Sequence, residues 1–213
     1  MHPYWSNYLP MQSCWSLQFG YGVVLNPNHC SQIAKKKQNM TEYKLEAADI
    51  VIDLQQQQLF LPKFNKQYSV STGKNGIGEQ ENSGKTPRGW HRIANKFGHA
   101  LPENSVFIAR QATGEIYSPE LALAFPERDW ILSRILWLTG LEQDFNCGAG
   151  CDTYQRYIYI HGTPDTEPMG VAQSHGCIRM RNQDILELFE LIPEQALVYL
   201  SEHSLVIDMK SES

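Results

Sequence analysis

The apolar residues of this chain come mostly in short, β-branched or aromatic runs, broken every few residues by Gly, Pro, Asn or Ser. Runs of that length cannot supply the long amphipathic stripes of a helix bundle, whereas they suit the strands of a sheet. Strands are predicted at residues 50–54 (IVIDL), 59–61 (stopped by Pro62), 68–71, 90–93, 106–109, 157–160 (YIYI) and 196–200. The four-Gln tract at 55–58 reads as a turn leading into the next strand. The closeness of 59–61 and 68–71 predicts an antiparallel hairpin. Two segments carry helical spacing. In residues 129–139 (DWILSRILWLT) the apolar positions 130, 131, 132, 135, 136 and 138 predict a short buried helix. Residues 182–192 predict a second, with Asn182 as N-cap, Asp184 in the first turn and Pro193 as the stop. The sum is a mainly-β single domain with a few short helices.

Composition narrows the function. A net charge of −5 with no basic stripe disfavours a nucleic-acid partner. No stretch approaches the roughly 18 consecutive apolar residues of a membrane span. Five cysteines, at 14, 30, 147, 151 and 177, are an odd count in a chain too long to need a disulfide scaffold, so at least one free thiol is expected. Cys147 and Cys151 flank Gly148 and Gly150; pairing, metal binding and oxidant sensing are weighed for them, and incidental loop thiols are preferred. Residues 71–88, rich in Gly, Ser, Asn and Lys, predict a long loop, a candidate substrate-facing flap.

The chemistry concentrates in residues 157–180, YIYIHGTPDTEPMGVAQSHGCIRM. Cys177 follows a glycine, which lets a substrate approach the backbone. The amides of His175, Gly176 and Cys177 are candidate oxyanion donors. His161 ends the strongest β-prone run and precedes a Gly-Thr-Pro turn. An imidazole beside a thiol can take its proton and hold a thiolate–imidazolium pair. Arg179, two residues past Cys177 and so on the same side of an extended segment, can clamp a substrate carboxylate. Tyr159 shares a strand face with Tyr157, as packing or as site lining. Other readings stay open: a zinc site of His161, His175 and Cys177, or a non-catalytic binding module.

The H-G-T at 161–163 and the S-H-G-C-I-R-M at 174–180 closely resemble the signature of the L,D-transpeptidase catalytic domain, the YkuD-type family. S-T-G-K at 71–74, K-T-P-R-G at 85–89 and R-Y-I-Y-I at 156–160 are also similar, so the resemblance covers roughly residues 48–201. It implies a β-sandwich-like catalytic domain and attack on the amide before the terminal D-Ala of a peptidoglycan tetrapeptide or muropeptide. A thioacyl-enzyme is then resolved by an amine or by water. It makes Cys177 the nucleophile and His161 the base, with the imidazole oriented by the Gly162 carbonyl. His175 and Gly176 fall in the oxyanion region, and Arg179, Ser174, Tyr159 and Thr163 in substrate binding. It implies neither metal nor organic cofactor, and a cysteine that carbapenems acylate.

The N-terminus departs from exported members of that family. Residues 1–39 contain no Asp or Glu, and all 23 acidic residues lie beyond Met40. The one apolar patch, 19–25, is broken by Gly20 and Gly22 and precedes the basic run 35–37, the reverse of a secretory signal. A cytoplasmic L,D-carboxypeptidase that trims tetrapeptides in muropeptide recycling is therefore the preferred expectation. The alternatives are a periplasmic location and a cross-linking L,D-transpeptidase. Residues 1–39 are read as a poorly ordered extension or an upstream start artefact, and 40–213 as the catalytic domain. Deleting 1–39 is expected to leave folding and activity intact, which circular dichroism and turnover of a tetrapeptide would check.

Overall fold

The computed structural model describes residues 44–206, so the expectations for residues 1–39 fall outside it. The described strands are β1 (Ile50–Asp53), β2 (Gln58–Leu61), β3 (Lys66–Ser69), β4 (Gly89–Phe97), β5 (Ser105–Ile108), β6 (Gln111–Ile116), β7 (Ile131–Gly140), β8 (Tyr159–Gly162), β9 (Ile178–Met180) and β10 (Leu197–Ser201). Two α-helices join them, α1 (Pro119–Ala124) and α2 (Asn182–Leu191). All ten strands belong to one sheet in the order β3-β2-β1-β10-β4-β7-β5-β6, with β8 pairing β7 and β9 pairing β8. The mainly-β expectation holds, and so does the antiparallel β2–β3 hairpin, in which Leu59 faces Tyr68.

β7 is the junction. It pairs with β4 and β5 and also with β8, so the sheet divides there and curls over its own core. Leu136 and Leu138 point into that core with Ile50, Ile52, Ile160, Ile178 and Met180. Ile135 and Trp137 point the other way, into a second cluster with Phe107 and Tyr159. α2 closes the main core with Ile185, Leu188 and Phe189. Burying such side chains contributes about 1.5–3 kcal/mol each, which outweighs local preferences.

The helix expected at 129–139 is therefore corrected: the segment is β7. A strand covered on both faces is apolar at both parities, so alternation vanishes. The gap at Ser133 and Arg134 that imitated a helical period is a bulge: pairing with β8 slips between Leu132 and Ile135, and Ser133 has φ 62°. Asn182 is corrected too. Arg181 is the N-cap residue, and the buried Asn182 side chain accepts from Ser133 Oγ at 2.6 Å and donates to the Thr163 carbonyl at 2.9 Å. It thereby ties the bulge and the end of β8 to α2. β6, α1 and β9 went unpredicted. β6 is polar and largely exposed, and β9 has only three residues, so neither carries a local pattern.

Cys147 is disulfide-bonded, whereas Cys151 keeps a free thiol, so the two do not pair and Cys147 is no incidental thiol. Among the described residues no helix is long and apolar enough to cross a membrane.

Two buried imidazoles link folding to pH. His91, between the Gly89 carbonyl and the Thr153 hydroxyl, and His161 are both fully enclosed, and burial lowers each from 6.5 to about 4. The unfolded chain takes up these protons near pH 6.5 and the folded one only near 4. Stability is thus present above 6.5 and lost as pH falls, by up to about 1.4 kcal/mol per pH unit for each histidine. The melting temperature should drop between pH 6.5 and 4, and His91→Gln should flatten that slope by about half; a level melting temperature across this range contradicts the account.

Candidate active site

β8 and β9 run parallel, with Ile160 opposite Ile178, His161 opposite Arg179 and Gly162 opposite Met180. Alternation sends Ile158, Ile160, Ile178 and Met180 into the core. It leaves Tyr159 and His161 on the outer face of β8, with Arg179 on that of β9. Cys177, one residue before β9, packs against the outer cluster of Tyr159 and Trp137. The residues expected to do chemistry thus share one face, and the apolar residues between them anchor it.

His161 Nδ1 lies 2.7 Å from the Gly162 carbonyl, which can only accept, so Nδ1 carries the proton and Nε2 is the basic nitrogen. This is the orientation that the family resemblance implies. Gly162 is needed as glycine: a Cβ there would lie 2.4 Å from Asn182 Oδ1 and 2.7 Å from the Leu132 carbonyl. The Cys177 sulfur accepts from the Tyr159 amide and donates to the Tyr157 carbonyl, both at 3.4 Å. No hydrogen bond joins it to His161 among the described residues. Burial pushes the thiol up to about 12 and the imidazole down to about 4. Both shifts favour the neutral forms over the thiolate–imidazolium pair that the sequence allows. Cys177 nonetheless keeps intermediate exposure, so a substrate can reach it.

The loop before Cys177 is held by hydroxyls. Ser174 Oγ donates to the Cys177 carbonyl at 2.5 Å and accepts from the Gly176 amide at 3.1 Å. Thr86 Oγ1 donates to the Gly176 carbonyl at 2.9 Å. Gly176 has φ 121°, and a Cβ there would press on the Lys85 carbonyl at 3.1 Å. Two expectations change. The Gly176 amide, engaged by Ser174, is not free for an oxyanion, whereas those of His175 and Cys177 have no hydrogen-bond partner among the described residues. Ser174 shapes the turn from within. The loop at 71–88 packs here as a wall: Ser71 exchanges both backbone hydrogen bonds with Arg179, at 3.0 and 2.8 Å. Arg156 braces its far end on the Lys85 and Glu79 carbonyls.

Arg179 does not point a free guanidinium at the substrate. Its Nη2 reaches Asp129 Oδ1 at 2.8 Å and its Nη1 reaches Glu167 Oε2 at 3.3 Å. Asp129 also meets His175 Nδ1 at 3.4 Å. Burial pushes the Asp129 carboxyl up, but Arg179, His161 and His175 together hold it below the usual carboxylate range. These groups border a cleft of about 180 Å³ that Thr163, Glu127 and Arg128 also line. Thr163 is buried, with its amide on the Met180 carbonyl at 3.1 Å. Tyr159 is buried with its hydroxyl accepting from Arg110 Nη1 at 2.9 Å. Asp129, Glu167, Thr86 and Arg110 escaped sequence reasoning. Asp129 sits at the end of the segment misread as helix, Thr86 lies in the K-T-P-R-G motif without having been singled out, and Glu167 and Arg110 carry no local motif. Among the described residues no group of three or more His, Cys, Asp or Glu side chains converges as a metal site.

Comparison with known proteins agrees with the resemblance. Over 47 residues, 22% of this chain and 28% of the relative, the sequence is 45% identical to a putative L,D-transpeptidase YkuD of Bacillus licheniformis. Over 38 residues, 18% of this chain and 12% of the relative, it is 50% identical to a probable L,D-transpeptidase YbiS of Escherichia coli K12. The matches thus span less than a third of these relatives' own length. L,D-transpeptidase 3 of Mycobacterium tuberculosis, solved with a faropenem-derived adduct, is 15% identical, with TM-score 0.43, over 72% of this chain and 59% of that one. Residues 47–200 match the L,D-transpeptidase catalytic domain family, YkuD, and the chain belongs to that family.

Proposed function

We propose that this chain is a cysteine L,D-transpeptidase that acts on peptidoglycan tetrapeptide stems. The observation that carries the reading is the outer face shared by β8 and β9, with His161 Nδ1 pinned on Gly162 and Nε2 left as a base. The Cys177 thiol turns from the Tyr157 carbonyl and loses its proton to Nε2 as sulfur attacks the carbonyl before the terminal D-Ala. The amides of His175 and Cys177 receive the developing oxyanion. The C–N bond breaks, the imidazolium protonates the departing amine, and a thioacyl-enzyme remains. An incoming amine, deprotonated by His161, then takes the acyl group and the thiol is restored.

Burial favours the neutral thiol and the neutral imidazole, which supports deprotonation coupled to attack. Water in place of the amine would release a tripeptide, the L,D-carboxypeptidase outcome suited to cytoplasmic recycling. Both outcomes share the acyl-enzyme. The curated relatives are named as transpeptidases, which favours the amine.

Mass spectrometry of the protein with a defined tetrapeptide, with and without an amine acceptor, tests this reading. A Cys177 adduct that loses D-Ala and yields amine-exchanged product is expected, whereas tripeptide alone in both arms would sink the transpeptidase reading. Cys177→Ala should abolish adduct and product, and unchanged product from that variant overturns the nucleophile. His161→Gln should lower kcat/KM about 10²–10⁴-fold. The base works only while neutral, so kcat/KM should hold from neutral pH to about 5 and fall through about 4; loss centred near 6.5 would show an imidazole less enclosed than this one.

A further inference from the structure

Arg110 is poised differently from the other arginines beside the thiol. Arg179 is committed to Asp129 and Glu167, and Arg156 to the carbonyls of Glu79 and Lys85. Arg110 sits in the two-residue turn between β5 and β6, where Ala109 (φ 47°) and Arg110 (φ 68°) are both left-handed, the conformation of a tight hairpin turn. Such a turn is stiff, and pairing of Phe107 with Ile131 fixes its base on β7. The guanidinium lies over the Trp137 ring at 4.4 Å and the Tyr157 ring at 5.0 Å. The Trp137 ring is itself locked, stacked on Tyr154 at 3.7 Å and set edge-on to Tyr159. Nη1 donates to the Tyr159 hydroxyl at 2.9 Å, and the amide of the same tyrosine donates to the Cys177 sulfur. The cation therefore stands one tyrosine side chain away from the sulfur.

A guanidinium has five N–H donors. Only the bond to Tyr159 engages those of Arg110 among the described residues, and the residue is partly exposed. Aromatic faces hold the fork in place without consuming its donors, and their low polarity strengthens any charge-assisted bond it makes. A planar cation with an open edge, one tyrosine side chain from the attacking atom, matches a carboxylate.

From this arrangement we propose that Arg110 is a specificity-determining residue that grips a carboxylate of the acyl-donor peptide. The inference rests on the acyl-transfer reading of Cys177. The carboxylate belongs either to the departing D-residue or to the side chain of a diamino acid at the attacked centre. Acting through the donor's charge, Arg110 sets which peptides are accepted and takes no part in the proton transfers.

Steady-state kinetics with three donors decides the matter: the free tetrapeptide, its C-terminal amide, and the form amidated on the diamino-acid side chain. Arg110→Gln should lower kcat/KM about tenfold to a hundredfold on the free donor, chiefly through KM. On the form lacking the gripped carboxylate, wild type and variant should perform alike, which also identifies the carboxylate. Arg110→Lys should recover part of the loss. Equal loss on all three donors, as from a merely structural contact, or loss on none, overturns the proposal. Thermal melts and the rate at which neutral iodoacetamide alkylates Cys177 show whether the variants keep the site intact. Absence of any thioacyl adduct on the wild-type protein would instead defeat the acyl-transfer reading beneath it.

Discussion

The parallel pairing of β8 with β9 is the constraint on which the rest of the molecule depends. Because side chains alternate along a strand, Ile160 and Ile178 cannot enter the core without turning His161 and Arg179 outward. A slip of one residue would turn the imidazole into the main core and the isoleucines onto the face that now carries it. The apolar residues thus hold the register, and the register holds the chemistry. β7 extends the same logic: Leu136 and Leu138 serve the main core while Trp137, on the opposite face, supports Tyr159 and the ground beside Cys177.

Burial sets the character of the site as firmly as register does. Enclosure penalises charge on both the thiol and the imidazole, which favours the neutral pair. Charge is kept nearby in compensated form, as Arg179 between Asp129 and Glu167 with His175 alongside. That network borders the cleft on one side of the site, and the Arg110–Trp137 stack stands on another. In the first the guanidinium is engaged by two carboxylates and reads as positioning; the second has donors to spare.

What was legible in the sequence follows from how local each signal is. The β2–β3 hairpin and α2 depend on neighbours a few residues away and were visible, whereas the linkage of His161 to Gly162 came only through the family resemblance. β7 was misread because double-sided burial erases alternation, and the bulge at Ser133 supplied a false helical gap. Asn182 reads as a cap in isolation, yet a buried bulge 49 residues away claims its side chain. Arg179 read as a free clamp because neither Asp129 nor Glu167 is near it in the chain.

By itself the sequence pointed to the candidate reactive atoms and to their kinship: a thiol in S-H-G-C, an imidazole at a strand end, and a run of motifs shared with one family. Those are properties of residue type and short spacing. Only the tertiary structure decided which amides are left without a partner, which arginine has donors left, and which way burial pushes the thiol and the imidazole. Each of these depends on desolvation and on partners brought from distant segments, and neither is written in any local stretch of chain.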